Sequence, residues 1–565
     1  MAKFKTRART IDMLGRQQIA GIPTAISELF KNAHDAYADH VEIDFFRADR
    51  LFVLRDDGMG MTREEFENRW LTIGTESKLN SKKMPLPPPD KSKRPRTMLG
   101  EKGIGRLSIA IIGPQVLVLT RAKRDSGLHN LIAAFLNWGI FEAPGINLED
   151  IEIPIREFAD GHLPTIADVI EMVAEFSENL KQIDKEDKEL FQRLKAELAA
   201  FIVDPNEIDS YLKNSSYLSL KDQGAGTHFY IKKATELLID DIDSSSPGKA
   251  SPLEKALLGF TNTMTPSHEP PVITEAFRDY KTDTVFDDLI DKERFFTPNE
   301  FINADHHVTG EFDEYGQFNG TISIYGEEFQ NHVIPWMKSK GQPTKCGPFK
   351  IAFADVQGNL RETTIPMEEW SQLTSKMDRQ GGLYVFKNGI RILPYGDTDY
   401  DWVGMEYRRT KSASYYHFSH RRIFGAVEIT SSCNPFLKEK AGREGFRENE
   451  AYRQLKDILE SFFIQLAADF FREGGSKSNK FFDQRVNIQK IHEAERKRAD
   501  HVRTRKEKLE SEIEDFFRLY DESAPEKEAI KISDTLTEQL KTARAIENPH
   551  QAAREFLEIE EQSIK

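Results

Sequence analysis

Residues 28–36 read Glu-Leu-Phe-Lys-Asn-Ala-His-Asp-Ala, inside a stretch (16–37) whose apolar residues recur at helical spacing. On an α-helix, Glu28, Asn32 and Asp35 project from one face. A carboxylate beside a carboxamide suits a general base next to a ligand for a hard cation. A solvated helix face would carry the same residues, so this stretch decides the fold only together with two others.

The two other stretches are glycine-rich. DDGMGM (56–61) follows a predicted strand, and GEKGIG (100–105) opens an apolar helix. Glycines let the backbone approach a ligand closely, and an aspartate there can accept a hydrogen bond from an exocyclic amine, although a plain Asp-Gly turn has the same letters. A glycine loop at a helix N-terminus presents N–H groups to phosphate. The loop at 100–105 is not a Walker A motif, because no Gly-Lys-Ser/Thr ends it.

In this order and context, the three stretches resemble the N box, G1 and G2 motifs of the GHKL (Bergerat-fold) ATPases. That superfamily includes Hsp90 chaperones, MutL repair proteins, type II topoisomerase ATPase subunits, MORC proteins and sensor histidine kinases. Gly226-Thr227, ahead of a strand, resembles the Gly-Thr that ends their nucleotide site. The segment 68–78, with its tryptophan and Ser-Lys, and the strand 382–391 look most like prokaryotic MORC-like or Hsp90-like proteins.

The resemblance implies ATP and Mg²⁺ as cofactors and assigns roles to individual residues. Glu28 resembles the general base, and Asn32 the residue that completes Mg²⁺ coordination. Asp56 resembles the carboxylate that reads adenine, and Thr227 the hydroxyl that helps it. The other nucleotide-binding residues that we predict on this basis are Asp35, Gly58, Met59, Gly60, Lys78, Gly100, Lys102, Gly103, Ile104 and Gly105.

The pattern of helices and hairpin-linked strands predicts an α+β fold. The resemblance makes residues 1–243 a Bergerat ATP-binding α/β sandwich, with a helical insertion at about 145–215. The stretch 244–252 is small and polar and predicts a linker. We expect an S5-like transducer domain at 253–475 and a charged helical or coiled-coil arm at 476–565.

Transducer domains of this superfamily send a cation to the γ-phosphate. In FLKEKAGREGF (436–446), the Arg443-Glu444 pair resembles the Arg-Glu of Hsp90. We predict Arg443 as the sensor, with Lys440 and Lys438 as substitutes; a surface arginine in a charged loop is the alternative. The Pro- and Lys-rich segment 78–98 resembles the lid, and its charges suit phosphate, DNA or merely solvent.

Composition excludes several classes of protein. The net charge is −15, so DNA binding does not follow from the total charge. The two cysteines, Cys346 and Cys433, rule out a disulfide framework, and a reducing cytoplasm is the expected setting. No apolar run is long enough for a membrane span. His306 and His307 lack companions at metal-ligand spacing, so we predict a loop pair and not a metal site.

The motifs favour an ATP-gated homodimer, whose load is either DNA held as a clamp or a protein client handled as by a chaperone. By analogy alone, a stand-alone bacterial member would suit anti-phage defence. A histidine kinase needs an upstream phosphoacceptor, and none of the residues before Glu28 is a histidine. A module that only binds ATP has no need of the base Glu28.

Overall fold

The structure is a computed structural model of mixed α/β character. The chain forms two compact units, one of residues 1–358 and 365–478, the other of residues 359–364 and 479–565. The residues it describes are 6–14, 19, 21–72, 93–99, 105–183, 187–244, 249–266, 268, 270–282, 284–440, 445–521, 535–542, 555 and 557–559.

The first sheet lies in the first unit and carries the glycine-rich stretch 56–61. Its strands are β1 His40–Phe46, β2 Leu51–Asp56, β3 Gln115–Arg124, β4 Gly127–Asn137, β5 Ile155–Phe158, β6 Gly226–Lys232, β7 Thr274–Tyr280 and β8 Phe286–Asp288. They are ordered β5-β4-β3-β6-β2-β1-β7-β8. Neighbouring strands are antiparallel except β1 and β7, which are parallel.

This sheet extends past the linker that we predicted at 244–252, because β7 and β8 come after it in the chain and pair at its edge. A local pattern cannot reveal this pairing, since a parallel neighbour is joined by a long connection. The predicted domain boundary at 253 therefore falls between strands of one sheet, since β1–β6 precede it and β7 and β8 follow it.

Both faces of β1 are buried. Glu42 and Asp44 are 4% and 0% exposed. Arg55 Nη2 lies 3.0 Å from Asp44 Oδ2, and Arg278 Nη1 lies 2.7 Å from Glu42 Oε2. Tyr217, in the 3-10 turn Lys213–Leu218, also donates to Glu42. Two arginines thus neutralise two buried carboxylates on one face of β1.

The second sheet belongs to the same unit. Its strands are β9 His306–Phe312, β10 Phe318–Ile324, β11 Glu327–Ile334, β12 Phe349–Asp355, β13 Gly382–Lys387, β14 Ile390–Arg391 and β15 Ile423–Ile429. They are ordered β11-β10-β9-β12-β15-β13-β14. The predicted loop pair His306-His307 is wrong, because both residues lie in β9, where they pair with β10 and β12.

The α-helices of the first unit are α1 Arg9–Leu14, α2 Ile22–Asp35, α3 Arg63–Glu65, α4 Ile109–Ile112, α5 Ile166–Ser177, α6 Lys188–Ala199, α7 Pro205–Tyr211, α8 Glu236–Asp243, α9 Pro252–Leu257, α10 Pro298–Ile302, α11 Met367–Gln380, α12 Met405–Lys411, α13 Ala413–Tyr416 and α14 Glu450–Phe470. Shorter turns are π-helical at Phe66–Trp70 and 3-10 at Gly105–Ser108, Trp138–Glu142, Leu148–Asp150, Glu178–Gln182, Lys213–Leu218, Lys292–Arg294, Met337–Ser339 and His420–Arg422. The helix α14 covers the second sheet, with Phe462 packed against Phe312 and Phe318.

The second unit is dominated by α15, Asn479–Asp521, and contains a further helical segment at 535–542. Leu509, Ile513, Leu540 and Ile559 form a buried apolar cluster in this unit, and Phe481 and Ile488 of α15 are also buried. Exposed ion pairs such as Arg503 with Glu507 follow the surface of α15. Of the helices in the described part of the chain, none is both long and apolar enough to cross a bilayer.

Candidate functional site

Helix α2 carries the first group of candidate residues. It begins after Gly21, with Pro23 in its first turn. Proline lacks an N–H, and in the first turn this costs no hydrogen bond, because N–H groups there have no acceptor within the helix. Glu28 is 3% exposed, and its carboxylate accepts a hydrogen bond from Lys31 Nζ at 3.2 Å. Asn32, one turn further on, is half-buried. The buried acid therefore has a cationic partner on its own helix. Sequence reasoning missed Lys31, although its i,i+3 spacing from Glu28 was a signal for the pair.

Asp35 contacts the chain just before the third glycine stretch. Its Oδ1 accepts the N–H of Leu99 at 2.8 Å. On the other side of that stretch, the turn Gly105–Ser108 packs against α2. Of the predicted phosphate-binding residues, Gly100, Lys102, Gly103 and Ile104 lie outside the described residues, and so does Lys78. Asp35 thus holds backbone that leads into the predicted phosphate loop.

Asp56 ends β2 in a buried position opposite Thr227 on β6. Gly58 N donates to Asp56 Oδ1 at 2.9 Å. Burial raises the pKa of Asp56 to about 7, and the charge of Asp57 acts in the same direction, while the N–H groups of Gly58 and Thr227 oppose the shift. An aspartate with this pKa changes protonation near neutral pH.

A second hydroxyl, which sequence reasoning missed, lies beside Thr227. Thr120, on β3, is the ladder partner of Thr227, and their Oγ1 atoms are 3.0 Å apart. The Thr120 hydroxyl also accepts the N–H of Met61 at 2.9 Å. It therefore ties the glycine stretch to the middle of the sheet. Its signal in the sequence, a polar residue in an apolar strand, is a weak one.

The glycines of the second stretch fit close backbone packing. A Cβ at Gly58 would lie 2.8 Å from Asp56 Oδ1, and one at Gly60 would lie 2.0 Å from the carbonyl oxygen of Arg121. Gly60 also has φ +56°, which favours glycine. Between them, Met59 N donates to the carbonyl of Ala36 at 2.8 Å. The stretch is thus pinned between the end of α2 and β3.

Asp57 has a structural contact distinct from that of Asp56. Its Oδ1 accepts the N–H groups of Asp39 and His40, at 2.7 and 2.8 Å. Its Oδ2 lies 2.8 Å from Nδ1 of His40. These bonds fix the turn between α2 and β1, so Asp56 is the carboxylate left at the end of β2.

Two basic residues of the predicted lid contact the C-terminal end of α2. Lys93 Nζ donates to the carbonyl of Tyr37 at 2.8 Å. Arg96 is buried and donates to the carbonyls of His34 and Ala38, at 3.2 and 2.7 Å. Cations at a helix C-terminus satisfy carbonyls that have no partner within the helix. The charges of these two residues therefore contact backbone carbonyls of the protein itself, whereas we predicted contacts with phosphate, DNA or solvent for the charges of this segment.

The predicted γ-phosphate sensors belong to a different segment of the first unit. Arg443 lies in 441–444, outside the described residues. On either side, Glu439 and Phe446 form an antiparallel bridge, and Lys440 N donates to the carbonyl of Gly445 at 2.9 Å. The side chains of Lys438 and Lys440 are exposed.

A chain of contacts joins α2 to the second sheet. Phe30, two residues after Glu28, packs edge-on against Phe260 with ring centroids 5.5 Å apart. The carbonyl of Phe260 accepts the N–H of Arg391 in β14 at 2.9 Å, and Thr261 bridges to Ile390. The helix that bears Glu28 is therefore in packed contact with the segment that hydrogen-bonds to the second sheet.

Comparison with known families supports the coarse prediction. Residues 21–146 match the family model described as histidine kinase-, DNA gyrase B-, and HSP90-like ATPase. The match spans the three motifs and supports the GHKL superfamily, and with it an ATP-binding ATPase domain. No curated protein matches the chain.

The residues present fit the nucleotide and cation that this superfamily implies. A buried carboxylate beside two hydroxyls can accept a hydrogen bond from the adenine amine, and the glycines leave space that a Cβ would fill. The Asn32 amide oxygen is a ligand type that Mg²⁺ accepts.

Proposed function

We propose that this protein is an ATP-binding and ATP-hydrolysing conformational switch of the GHKL type. The observation that carries the proposal is the buried pair Glu28–Lys31, on the helix that also contacts both sides of the stretch 100–104. This arrangement supports our proposal that the carboxylate of Glu28 acts on a water beside the γ-phosphate. Asp35 holds the backbone at Leu99 that leads into the loop.

Glu28 accepts a proton from the attacking water as the bond between the γ-phosphorus and the leaving oxygen of ADP breaks. The ammonium of Lys31 keeps the carboxylate in place through its hydrogen bond. Asn32 would hold Mg²⁺, which supplies positive charge to the phosphates. Asp56 accepts from the adenine amine, supported by Thr227, and Lys78 and 100–105 contact the phosphates.

Arg443 is proposed as the γ-phosphate sensor, with Lys440 or Lys438 as its substitute. A guanidinium suits the task because its fork engages two phosphate oxygens. The segment that bears these residues belongs to the region that we propose as an S5-like transducer, 253–475. Loss of the γ-phosphate then releases this cation, and the contact through Phe30 and Phe260 carries the change to the second sheet.

We further propose that ATP binding pairs two copies of the chain, as in MORC-like, MutL-like and Hsp90-like relatives. The arm at 476–565 would stabilise that pair. The load is proposed to be double-stranded DNA, enclosed when the dimer closes. A protein client, as for a chaperone, is the other outcome of the test below. A role in anti-phage defence is proposed by analogy alone.

The test compares steady-state ATP hydrolysis by the wild type and Glu28→Gln. We expect the variant to bind ATP but to lose at least about 100-fold in kcat, the scale of a general base. Glu64→Gln is the matched control, because Glu64 is an exposed glutamate of the same unit. Normal hydrolysis by Glu28→Gln would show that the catalytic assignment is wrong.

The load is tested with the wild type on circular and linear DNA of one sequence. We expect DNA to stimulate hydrolysis, and ATP to give salt-resistant retention on circles but not on linear molecules. Salt resistance matters because simple phosphate contacts weaken steeply with salt. Equal release from both forms, with ATP-dependent dimers still present, would favour a protein client.

A further inference from the structure

Three potential metal ligands come together at one end of the second sheet. His306 begins β9 and Asp355 ends β12, and the two are direct partners in the antiparallel ladder. His417 follows α13, and its Nε2 lies 3.3 Å from Asp355 Oδ2. One ligand atom from each residue lies within 4.8 Å of the others. The ladder brings together residues that are 49 positions apart (355 − 306), which the sequence alone does not reveal.

The cluster is sheltered from water. His306 and Asp355 are 2% and 4% exposed. Tyr325 and Phe471 cover the His306 ring, with centroids 4.4 and 5.1 Å away. The ring of His417 stacks on Phe471 at 3.8 Å. An apolar wall of this kind limits access of water and strengthens the attraction between a cation and a carboxylate.

His417 is held in an uncommon backbone conformation. Its φ and ψ are +52° and −67°, and Phe418 N donates across it to the carbonyl of Tyr416 at 2.6 Å, which forms a γ-turn. Non-glycine residues rarely adopt this conformation, and it tends to occur at functional sites. Here it brings the imidazole to Asp355.

A further shell of hydrogen bonds fixes His306. The side-chain nitrogen of Gln357 lies 3.0 Å from His306 Nε2. Gln357 is itself fixed, because its N–H donates to Asp305 Oδ2 at 2.9 Å and its carbonyl accepts from Trp370 Nε1 at 2.9 Å. A ligating histidine donates its second ring N–H to an acceptor, so in the metal-bound form the Gln357 amide would turn its oxygen toward His306 Nε2 and leave Nδ1 for the ion.

We propose that His306, Asp355 and His417 bind a divalent first-row transition metal ion, for which Zn²⁺ is the best match. Two imidazoles and one carboxylate form a donor set that zinc accepts with a fourth position open. Ligands about 2.0 Å from a tetrahedral ion lie roughly 3.3 Å from one another. The distance between Asp355 and His417 already has this value, and small rotations of the side chains bring His306 in.

The site would fasten three separate segments: the start of β9, the end of β12 and the turn after α13. Because a bound ion stabilises the folded state alone, added Zn²⁺ should raise the Tm of the chain.

The test uses the full-length chain, stripped with a chelator and free of nucleotide, so that the proposed Mg²⁺ at Asn32 plays no part. Zn²⁺ is titrated by calorimetry, bound metal is counted by mass spectrometry, and Co²⁺ substitution reports ligand geometry by visible absorption. We expect one equivalent in the wild type. Asp355→Asn and His417→Gln should weaken binding about 100-fold or more, since loss of even an outer-shell partner costs ~10–100-fold.

His307→Gln is the matched control, because His307 neighbours His306 on β9, points to the other face and packs against Phe301. It should bind Zn²⁺ as the wild type does. If Asp355→Asn does not fold, His417→Gln decides, since it changes no residue of the sheet. A wild-type chain without a stoichiometric ion, or variants that bind as tightly as the wild type, would overturn the proposal.

Discussion

At the scale of single residues, the proposed role of Asp56 predicts a link between pH and nucleotide binding. In that role the ionised carboxylate accepts a hydrogen bond from the adenine amine, whereas the pKa of about 7 leaves Asp56 protonated in acid. We expect ATP affinity to rise from pH 5 to pH 8 by up to about 100-fold, because binding must expel the proton below the pKa. Asp56→Asn should bind more weakly and lose this part of the pH dependence. Calorimetry on both proteins measures the ATP affinity at each pH. The protonation of ATP itself affects both proteins equally, so the difference between them reports on Asp56.

The same shift affects the stability of the protein without nucleotide. The folded-state pKa of Asp56 lies above the ordinary value of 3.8, so the folded chain holds this proton more tightly. The stability that the folded state gains from holding this proton is fully present below about pH 4 and is lost as the pH rises to about 7. We expect Asp56→Asn to be more stable than the wild type at pH 8 and not at pH 4, as measured by urea unfolding. An equal difference at both values would contradict the shift.

Gly60 is the glycine of the second stretch whose replacement should be least tolerated. A Cβ there meets the Arg121 carbonyl at 2.0 Å and φ is +56°. We expect Gly60→Ala to lower the free energy of unfolding by about 3 kcal/mol or more. Gly127→Ala separates the effect of the positive φ from that of the steric clash, because Gly127 has φ +109° but no atom within 4 Å of the added Cβ. That control should cost about 1–2 kcal/mol.

At the scale of elements, Arg96 anchors the end of α2. Arg96→Ala leaves the carbonyls of His34 and Ala38 without this buried donor, so we expect the free energy of unfolding to fall by about 3 kcal/mol and ATP binding to weaken. Arg94→Ala is the control, since Arg94 is exposed two residues away. Chemical denaturation and nucleotide titration of both variants test this. Equal behaviour of the two would show that Arg96 is not an anchor.

Arg391 provides a second test, on the contact between α2 and the second sheet. It is buried, and its Nη1 donates to the carbonyls of Lys255 and Leu258 at 2.7 and 2.8 Å. Arg391→Lys keeps the charge but cannot reproduce the fork. We expect ATP binding to persist while the fall in kcat exceeds the change in KM. An unchanged kcat in this variant would show that the contact plays no part in the proposed conformational switch.

The elements themselves were largely predictable, because their signals are local. The helix expected at 16–37 is Ile22–Asp35, and the strand expected before the stretch 56–61 is β2. The edge strand β7 and the cluster around His306 were not predictable. Each depends on pairing between distant segments, which periodicity does not encode. In the candidate site, Asp56 and Thr227 are ladder partners, a relation that only family resemblance suggested.

At the scale of the whole molecule, the proposal requires that ATP control assembly. Glu28→Gln should trap the ATP-bound state, so we expect it to elute as a dimer with ATP and as a monomer with ADP. Light scattering after size exclusion measures both masses. Asp56→Asn, deficient in adenine recognition, should remain monomeric with ATP. The same mass under all conditions would exclude ATP-gated pairing of the full chain.

The parallel pairing of β1 with β7 has a consequence for biosynthesis. A ribosome finishes β1 at Phe46 but must add 234 further residues (280 − 46) before Tyr280 completes its neighbour. At ~5–20 residues per second, β1 waits about 12–47 s with an unpaired edge. Open strand edges invite pairing with other chains. Nascent copies on one message are therefore most exposed to mispairing during that interval, and a chaperone that shields the edge of β1 should raise the yield of folded protein.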